Sequence, residues 1–187
     1  MGSHTFDASG ASGLDDPSRF RYCSREELVA PLELDGDEVV ADLGSGTGFF
    51  TTEVAPYAGT VHAIDVQRSM HEYFLAKEIP DGVELTTAEV GDLPFDDDAF
   101  DAAYSTMTYH EFVSDDALDE LARTIADGGR LVIVDWSANG AGEAGPPPGE
   151  RFSLADARDT LENSGFAVTE GAERPETFHL AATRVDL

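Results

Sequence analysis

Three glycines at alternate positions are the most informative feature of this 187-residue sequence. They lie in the string Asp42-Leu43-Gly44-Ser45-Gly46-Thr47-Gly48, directly after a short run of β-favouring residues. Glycine lets the backbone turn sharply and lets a ligand approach without interference from a Cβ atom. The helix predicted to follow offers backbone N–H groups at its positive end. The string therefore predicts a ligand-binding turn between a strand and a helix.

Two common nucleotide-binding motifs do not fit this string. A dinucleotide-binding turn needs a third glycine, and Phe49 or Thr51 stands at that position, depending on where the count begins. A phosphate loop needs Gly-Lys followed by Ser or Thr, which the string lacks. A nicotinamide-dependent oxidoreductase is therefore disfavoured, although a nucleotide-like ligand still suits the turn.

Polar residues that can do chemistry follow near the ends of later predicted strands. Asp65 ends a buried run twenty-three residues after Asp42, Glu89 comes shortly before Leu93-Pro94-Phe95, and His110 follows another strand. A carboxylate accepts hydrogen bonds from two donors, and a histidine exchanges a proton near neutral pH. These residue types suit the binding of hydroxyl and amine groups and the removal of a proton.

Alternating strand and helix patterns must position these residues. They predict a Rossmann-like α/β fold with a doubly wound, mostly parallel sheet and an antiparallel hairpin at its C-terminal edge. We expect an arm and a short helix over residues 1–37 and one domain over residues 38–187, with a glycine- and proline-rich loop at 139–149. The predicted strands are 39–43, 60–65, 83–88, 100–105, 130–136, 166–169 and 177–184, and the main helices are 49–57, 67–77, 115 to about Gly128, and 154–163.

The glycine string, preceded by an acidic residue, resembles motif I of the class I S-adenosylmethionine (SAM) dependent methyltransferases. The segment ending in Leu93-Pro94-Phe95 is similar to that of the quinone-biosynthesis-like (methyltransferase type 11) group, and the resemblance covers residues 38–137 in order. It implies that SAM is the cofactor, that Asp65 binds both ribose hydroxyls, and that Glu89 binds the adenine amine, with Asp92 as the competing residue. The cofactor-binding residues that it implies are Asp42, Gly44, Ser45, Gly46, Thr47, Gly48, Asp65, Val66, Glu89, Val90 and Ser105.

The resemblance also implies transfer of the SAM methyl group to an unidentified small molecule. His110 is the candidate general base if the acceptor must lose a proton; its alternative role is structural or cofactor-lining. No metal is expected, because Ser105 or Thr106 stands where metal-dependent catechol methyltransferases have an aspartate. The alternative function is a SAM-binding regulatory module without catalysis.

The charge of the chain limits which molecules it can bind. Thirty-eight acidic residues oppose 11 basic ones, giving a net charge of −27, which resembles the composition of proteins from extreme halophiles. Nucleic acid is excluded as a partner, because phosphate binding needs basic patches. No apolar run is long enough to span a membrane, so we expect a cytoplasmic protein; the sequence leaves its oligomeric state open.

Overall fold

The computed structural model describes residues 13–186, which contain one seven-stranded sheet. Its strands are β1 (Val39–Leu43), β2 (Thr60–Asp65), β3 (Val83–Thr87), β4 (Phe100–Thr106), β5 (Ile125–Trp136), β6 (Phe166–Glu173) and β7 (Thr177–Arg184). The strand order is β3-β2-β1-β4-β5-β7-β6. The first five strands are parallel, whereas β7 runs antiparallel to both β5 and β6. The predicted Rossmann-like sheet with an antiparallel C-terminal edge is confirmed.

Six α-helices are present in residues 13–186, one before β1 and the others between strands. They are α1 (Arg25–Val29), α2 (Phe49–Val54), α3 (Arg68–Leu75), α4 (Tyr109–Phe112), α5 (Asp115–Thr124) and α6 (Leu154–Glu162). Three of them begin after a serine whose hydroxyl accepts a hydrogen bond from the backbone N–H three residues later, namely Ser24, Ser114 and Ser153. Such caps satisfy N–H groups that have no partner inside the helix, which explains why the helices begin at these residues.

Alternating side chains of the sheet build a separate core on each face. On β5, Leu131 and Ile133 pack with α5 and α6, whereas Val132 and Val134 pack with α1 and α2. All four side chains are fully buried. A strand buried on both faces carries a continuous apolar run rather than an alternating one, as expected for an interior strand that helices cover on both faces.

Two strand boundaries differ from the sequence-based prediction by more than one residue. We expected α5 to continue until Gly128, but it ends at Thr124 and β5 begins at the next residue. Ile125 is fully buried and pairs with Phe100, so burial of its side chain favours the strand over another helical turn. Strand β6 also extends beyond the predicted residue 169, because its pairing with β7 continues to Glu173.

Contacts hold the segment before β1 and the loop after β5 against the domain. Cys23, Leu28 and Leu32 are buried in the same core as α2. The buried Arg151 follows the loop over 139–149 and donates hydrogen bonds to the backbone oxygens of its residues Pro146 and Ala144. None of the helices in the described chain is both long and apolar enough to cross a membrane.

Candidate functional site

A cavity lies at the carboxyl ends of β1, β2 and β4, where the chain crosses from one half of the sheet to the other. Ligands of open α/β sheets bind at this position. The cavity volume is about 230 Å³, slightly less than the roughly 300 Å³ at the lower end for small-molecule sites. It is lined by Leu14, Arg19, Gly44, Ser45, Gly46, Phe50, Ile64, Asp65, Val66, Gln67, Met70, Ala88, Glu89, Val90, Thr106, Met107, Thr108, Glu111 and Phe112.

The glycine loop has a conformation that other residues would disturb. The backbone N–H groups of Gly44 and Ser45 both donate to the carbonyl oxygen of Ile64, at 2.9 Å each, which fixes the turn against β2. Gly44 has a φ of +75°, and a Cβ atom there would lie 2.4 Å from Cγ2 of Thr108. Position 44 therefore requires glycine for two reasons: its backbone is left-handed, and a side chain would have no space beside Thr108.

Asp65 joins the glycine loop to the end of β2. Its Oδ2 accepts a hydrogen bond from the Gly46 N–H and its Oδ1 accepts one from the Gln67 N–H, both at 2.8 Å. Burial raises the pKa of Asp65, and the two backbone hydrogen bonds partly oppose that rise. Each carboxylate oxygen has a second lone pair, so the group can accept a further hydrogen bond on each side.

The structure places Glu89 and Val90 on the cavity wall, as it does Val66. Asp92, the competing residue for an adenine amine, is not among the described residues that line the cavity. Its backbone N–H donates to the carbonyl oxygen of Glu89 at 3.1 Å, so the two acids lie on one tight turn. Of the two, only Glu89 reaches the wall.

Four of the predicted cofactor-binding residues do not line the cavity: Asp42, Thr47, Gly48 and Ser105. Asp42 is 1% exposed, and its Oδ2 accepts a 2.6 Å hydrogen bond from the Thr51 hydroxyl. Burial raises the pKa of Asp42 to about 7. Thr47, 1% exposed, donates its hydroxyl to Asp15 at 2.7 Å. Asp42 and Thr47 are therefore bonded to other parts of the chain instead of lining the cavity.

His110 also lies off the cavity wall. Its Nδ1 is 3.0 Å from Oδ1 of Asp135, and its backbone N–H donates to Oδ2 of the same carboxylate at 2.8 Å. Burial favours the neutral imidazole, but the hydrogen bond and charge of Asp135 outweigh it and raise the pKa of His110. The next residue, Glu111, lines the cavity, and its Oε1 is 3.9 Å from Nε2 of His110.

Several cavity residues were not foreseen from the sequence. Leu14 and Arg19 come from the segment before α1, and Phe50 and Phe112 add apolar surface. Met107 has a φ of +60°, unusual for a residue with a side chain, directly after β4. That conformation marks a sharp turn at the cavity, but a methionine in the sequence gives no signal of it.

The polar groups of the cavity suit a nucleoside that carries a positively charged amino-acid tail. Three carboxylates line it, from Asp65, Glu89 and Glu111, and the hydroxyl of Ser45 is buried without a hydrogen-bond partner within residues 13–186. Acceptor groups bind hydroxyls and amines, and the glycine backbone admits close contact. The residues present therefore fit SAM.

Comparison with known proteins identifies the family of this chain. A family model described as "Methyltransferase domain" matches residues 41–133. A demethylmenaquinone methyltransferase of Clavibacter sepedonicus is 37% identical over 111 residues, which are 58% of this chain and 44% of the relative. The chain thus spans less than half the length of that relative.

Two further proteins are similar over more of their length. An O-methyltransferase of Aspergillus nomiae is 31% identical over 160 residues, covering 76% of this chain and 70% of the relative. The crystal structure of a SAM dependent methyltransferase from Aquifex aeolicus is 30% identical, with a TM-score of 0.85, and the match covers 97% of this chain and 100% of that one.

Proposed function

Because the chain belongs to the SAM-dependent methyltransferases of the quinone-biosynthesis-like group, we propose that it transfers a methyl group from SAM to a small molecule within the cavity at the ends of β1, β2 and β4. The observation that carries this proposal is the carboxylate of Asp65. It lines the cavity, is fixed by two backbone hydrogen bonds, and retains acceptor capacity on both oxygens. Those are the properties that recognition of two neighbouring ribose hydroxyls needs.

The other residues of the cavity wall would bind the rest of SAM. Glu89 and the Val90 backbone would hold the adenine, and the glycine loop would hold the amino-acid tail. SAM supplies a methyl group already activated by its positive sulfur. The protein therefore has to orient the acceptor and exclude water, and orientation alone lowers a barrier by roughly 7–11 kcal/mol.

We infer that the acceptor is a small, partly apolar molecule, such as a phenol or a quinol. Phe50, Met107 and Phe112 give the cavity apolar surface, and the hydroxyl of Thr108 lies beside it. The names of the relatives, a demethylmenaquinone methyltransferase and an O-methyltransferase, support the same chemical class. A net charge of −27 speaks against nucleic acid as the acceptor.

A phenolic acceptor must lose a proton, and we propose that Glu111 receives it. Glu111 lines the cavity, whereas His110, the base predicted from the sequence, does not. His110 lies between the buried Asp135 and Glu111, and its raised pKa favours the charged imidazolium. A charged His110 would position the Glu111 carboxylate, and Asp135 would fix the imidazole.

Binding is tested first. We expect S-adenosylhomocysteine to raise the melting temperature in high-salt buffer and NAD to leave it unchanged; the reverse result would overturn the assignment. Methyl transfer is then measured with labelled SAM against phenols, quinols and amines. Turnover supports a catalyst, whereas tight SAM binding without turnover across the panel supports the regulatory module.

The roles of Glu111 and His110 are tested with any acceptor that turns over. Glu111→Gln should lower kcat strongly for a phenol of high pKa and weakly for an acidic phenol, which ionises without help. His110→Asn should shift the pH profile and leave KM for SAM unchanged. Equal loss of activity in Glu111→Gln with both phenols would contradict a proton-accepting role.

A further inference from the structure

Two charged residues on α5, Glu120 and Arg123, form a bidentate ion pair with one another. Nε of Arg123 donates to Oε1 of Glu120 at 2.7 Å, and Nη2 donates to Oε2 at 2.8 Å. The two side chains are partly exposed, by 19% and 32%, and neither is among the described residues that line the cavity. An isolated ion pair at such a surface contributes little to stability, so the further partners of these two residues are informative.

The remaining hydrogen bonds of the pair bind the chain between β3 and β4. Oε2 of Glu120 accepts a hydrogen bond from the Leu93 N–H at 2.8 Å. Arg123 donates to the backbone oxygens of Leu93 and Phe95, at 3.2 and 2.8 Å. It also donates to Oδ1 of Asp97 at 2.9 Å. Arg123 thus makes as many hydrogen bonds as a guanidinium has N–H groups, and its full donor capacity is used to join α5 to this segment.

The segment that the pair binds comes directly after the turn that carries Glu89 and Val90 to the cavity wall. The Asp92 N–H donates to the carbonyl oxygen of Glu89, and Leu93 is the next residue along the chain. Val90 and Leu93 are buried in the same core as α5. A Cβ atom at Gly91 would lie only 3.3 Å from a side-chain atom in the first turn of α5. The helix therefore contacts this turn by packing at its beginning and by the ion pair near its end.

We propose that Glu120 and Arg123 are positioning residues of the adenine site, which hold the turn so that the carboxylate of Glu89 meets the adenine amine and thereby set the preference for adenine over a base without that amine. This inference rests on the proposed function, because it concerns the binding of the same cofactor. Recognition of one amine requires the accepting group to be fixed within about 0.5 Å. Bidentate hydrogen bonds between charged groups are strong and directional, so the pair supplies such a constraint from outside the cavity.

The test compares S-adenosylhomocysteine with S-inosylhomocysteine, in which a carbonyl oxygen replaces the adenine amine, by calorimetry on the full chain. Wild-type protein should bind the adenine ligand about 10- to 100-fold more tightly. Arg123→Gln should reduce that preference to less than about threefold with little change in the affinity for S-inosylhomocysteine, and Arg123→Lys should retain part of it. Arg158→Gln is the matched control, since Arg158 forms a partly exposed ion pair with Glu162 on α6 and is not among the described residues of the cavity wall.

Replacement of Glu89 shows whether the pair acts through this carboxylate. Glu89→Gln should itself remove the preference, and adding Arg123→Gln to that variant should lower the preference no further. A role of the pair in stability alone predicts a different result, namely that Arg123→Gln weakens the binding of both ligands by the same factor. If Arg123→Gln protein does not fold, Arg123→Lys takes its place in each comparison.

The outcomes separate the hypotheses. If Arg123→Gln weakens both ligands equally and keeps the preference, the pair stabilises only the fold, and the inference is wrong. If Glu89→Gln keeps the preference, the pair cannot act through Glu89, and the inference is also wrong. If wild-type protein binds both ligands equally well, the site does not recognise the amine; cofactor binding then stands and the inference fails. If wild-type protein binds neither ligand, the proposed function itself fails, and the inference with it.

Discussion

Replacing Asp65 by asparagine removes one charge and one acceptor while keeping the size of the side chain. In the native protein, both carboxylate oxygens accept a backbone hydrogen bond at 2.8 Å, from Gly46 and from Gln67. An asparagine has one acceptor oxygen, so its NH₂ group must face one of these two N–H donors. The variant loses a hydrogen bond within the glycine loop and the charge that strengthens binding to ribose hydroxyls.

The magnitudes follow from these two losses. A buried N–H group without a partner costs about 1–3 kcal/mol, so we expect the free energy of unfolding to fall by that amount. Loss of one hydrogen bond to a charged group costs about 1.5–3 kcal/mol, which weakens S-adenosylhomocysteine binding about 10- to 150-fold. Urea unfolding and calorimetry in the same high-salt buffer measure both quantities.

Asp101→Asn provides the matched control. Oδ2 of Asp101 accepts a hydrogen bond from the backbone N–H of Val39 at 2.8 Å, but the residue is exposed and does not line the cavity. Its replacement should leave ligand affinity unchanged. If folded Asp65→Asn protein binds S-adenosylhomocysteine within about threefold of the wild type, the ribose role of Asp65 is refuted.

Four further predictions concern the loop, its supports and the charge. Asp42→Asn should raise the free energy of unfolding by up to about 4 kcal/mol at pH 8 and by less than about 1 kcal/mol at pH 4, in urea titrations at both pH values. Gly48→Ala should lower that energy by about 2–4 kcal/mol, because φ is +80° and a methyl group would lie 2.2 Å from a buried ring. Lys77→Met removes the partly exposed ion pair to Asp15, which also accepts a hydrogen bond from Thr47 of the glycine loop. The variant should therefore release S-adenosylhomocysteine up to about fivefold faster in stopped-flow mixing at low salt. Raising KCl from about 0.1 M to about 2 M should raise the melting temperature of the wild type, because screening weakens the repulsion within a chain of net charge −27.

The sign for Asp42 follows from its pKa. The folded protein holds this carboxyl at a pKa of about 7, against an ordinary value of 3.8, so the folded state binds more protons between these values. Wild-type stability therefore falls as the pH rises from about 4 to about 7, whereas the asparagine variant lacks this loss. A constant difference between the two proteins from pH 4 to pH 8 would contradict the raised pKa.

The other predictions have their own controls. Gly128→Ala has almost the same φ, +79°, with no atom within 4 Å of the added Cβ, so it should show only the backbone strain of about 1–2 kcal/mol. Equal losses in Gly48→Ala and Gly128→Ala would argue against the ring contact. For Lys77→Met, the difference in release rate should disappear at high salt; a difference that persists would contradict an ionic contact. A melting temperature that does not rise with KCl would count against the halophilic interpretation.

Much of the site was predictable because its signals are local. The glycines at alternate positions, the acid that ends β2 and the turn that carries Glu89 all lie at strand ends, and parallel strands bring their carboxyl ends to one edge. Gly44, Gly46, Asp65 and Glu89 accordingly line the same cavity. Local spacing predicts such residues whenever the strand order follows the usual rules.

The sequence was less informative where the role of a residue depends on the direction in which its side chain points. His110 and Glu111 are neighbours on one short helix, and the orientation of that helix places Glu111 at the cavity and His110 against Asp135. The orientation depends on the left-handed backbone of Met107 and on the packing of the helix, neither of which leaves a pattern in the sequence.

By itself, the sequence determined the alternation of strands and helices, the glycine turn and the strongly acidic surface, because these depend on residue types and on spacing along the chain. Only the tertiary structure decided which side chains meet around the cavity. Arg19 and Leu14 lie far from the glycine turn in sequence and reach it because residues 13–21 pack on the loop. Asp42 stands within the glycine string, yet burial beside Thr51 turns it away from the ligand side. Contacts between distant segments and the burial of individual groups are properties of the packed chain, and no local pattern records them.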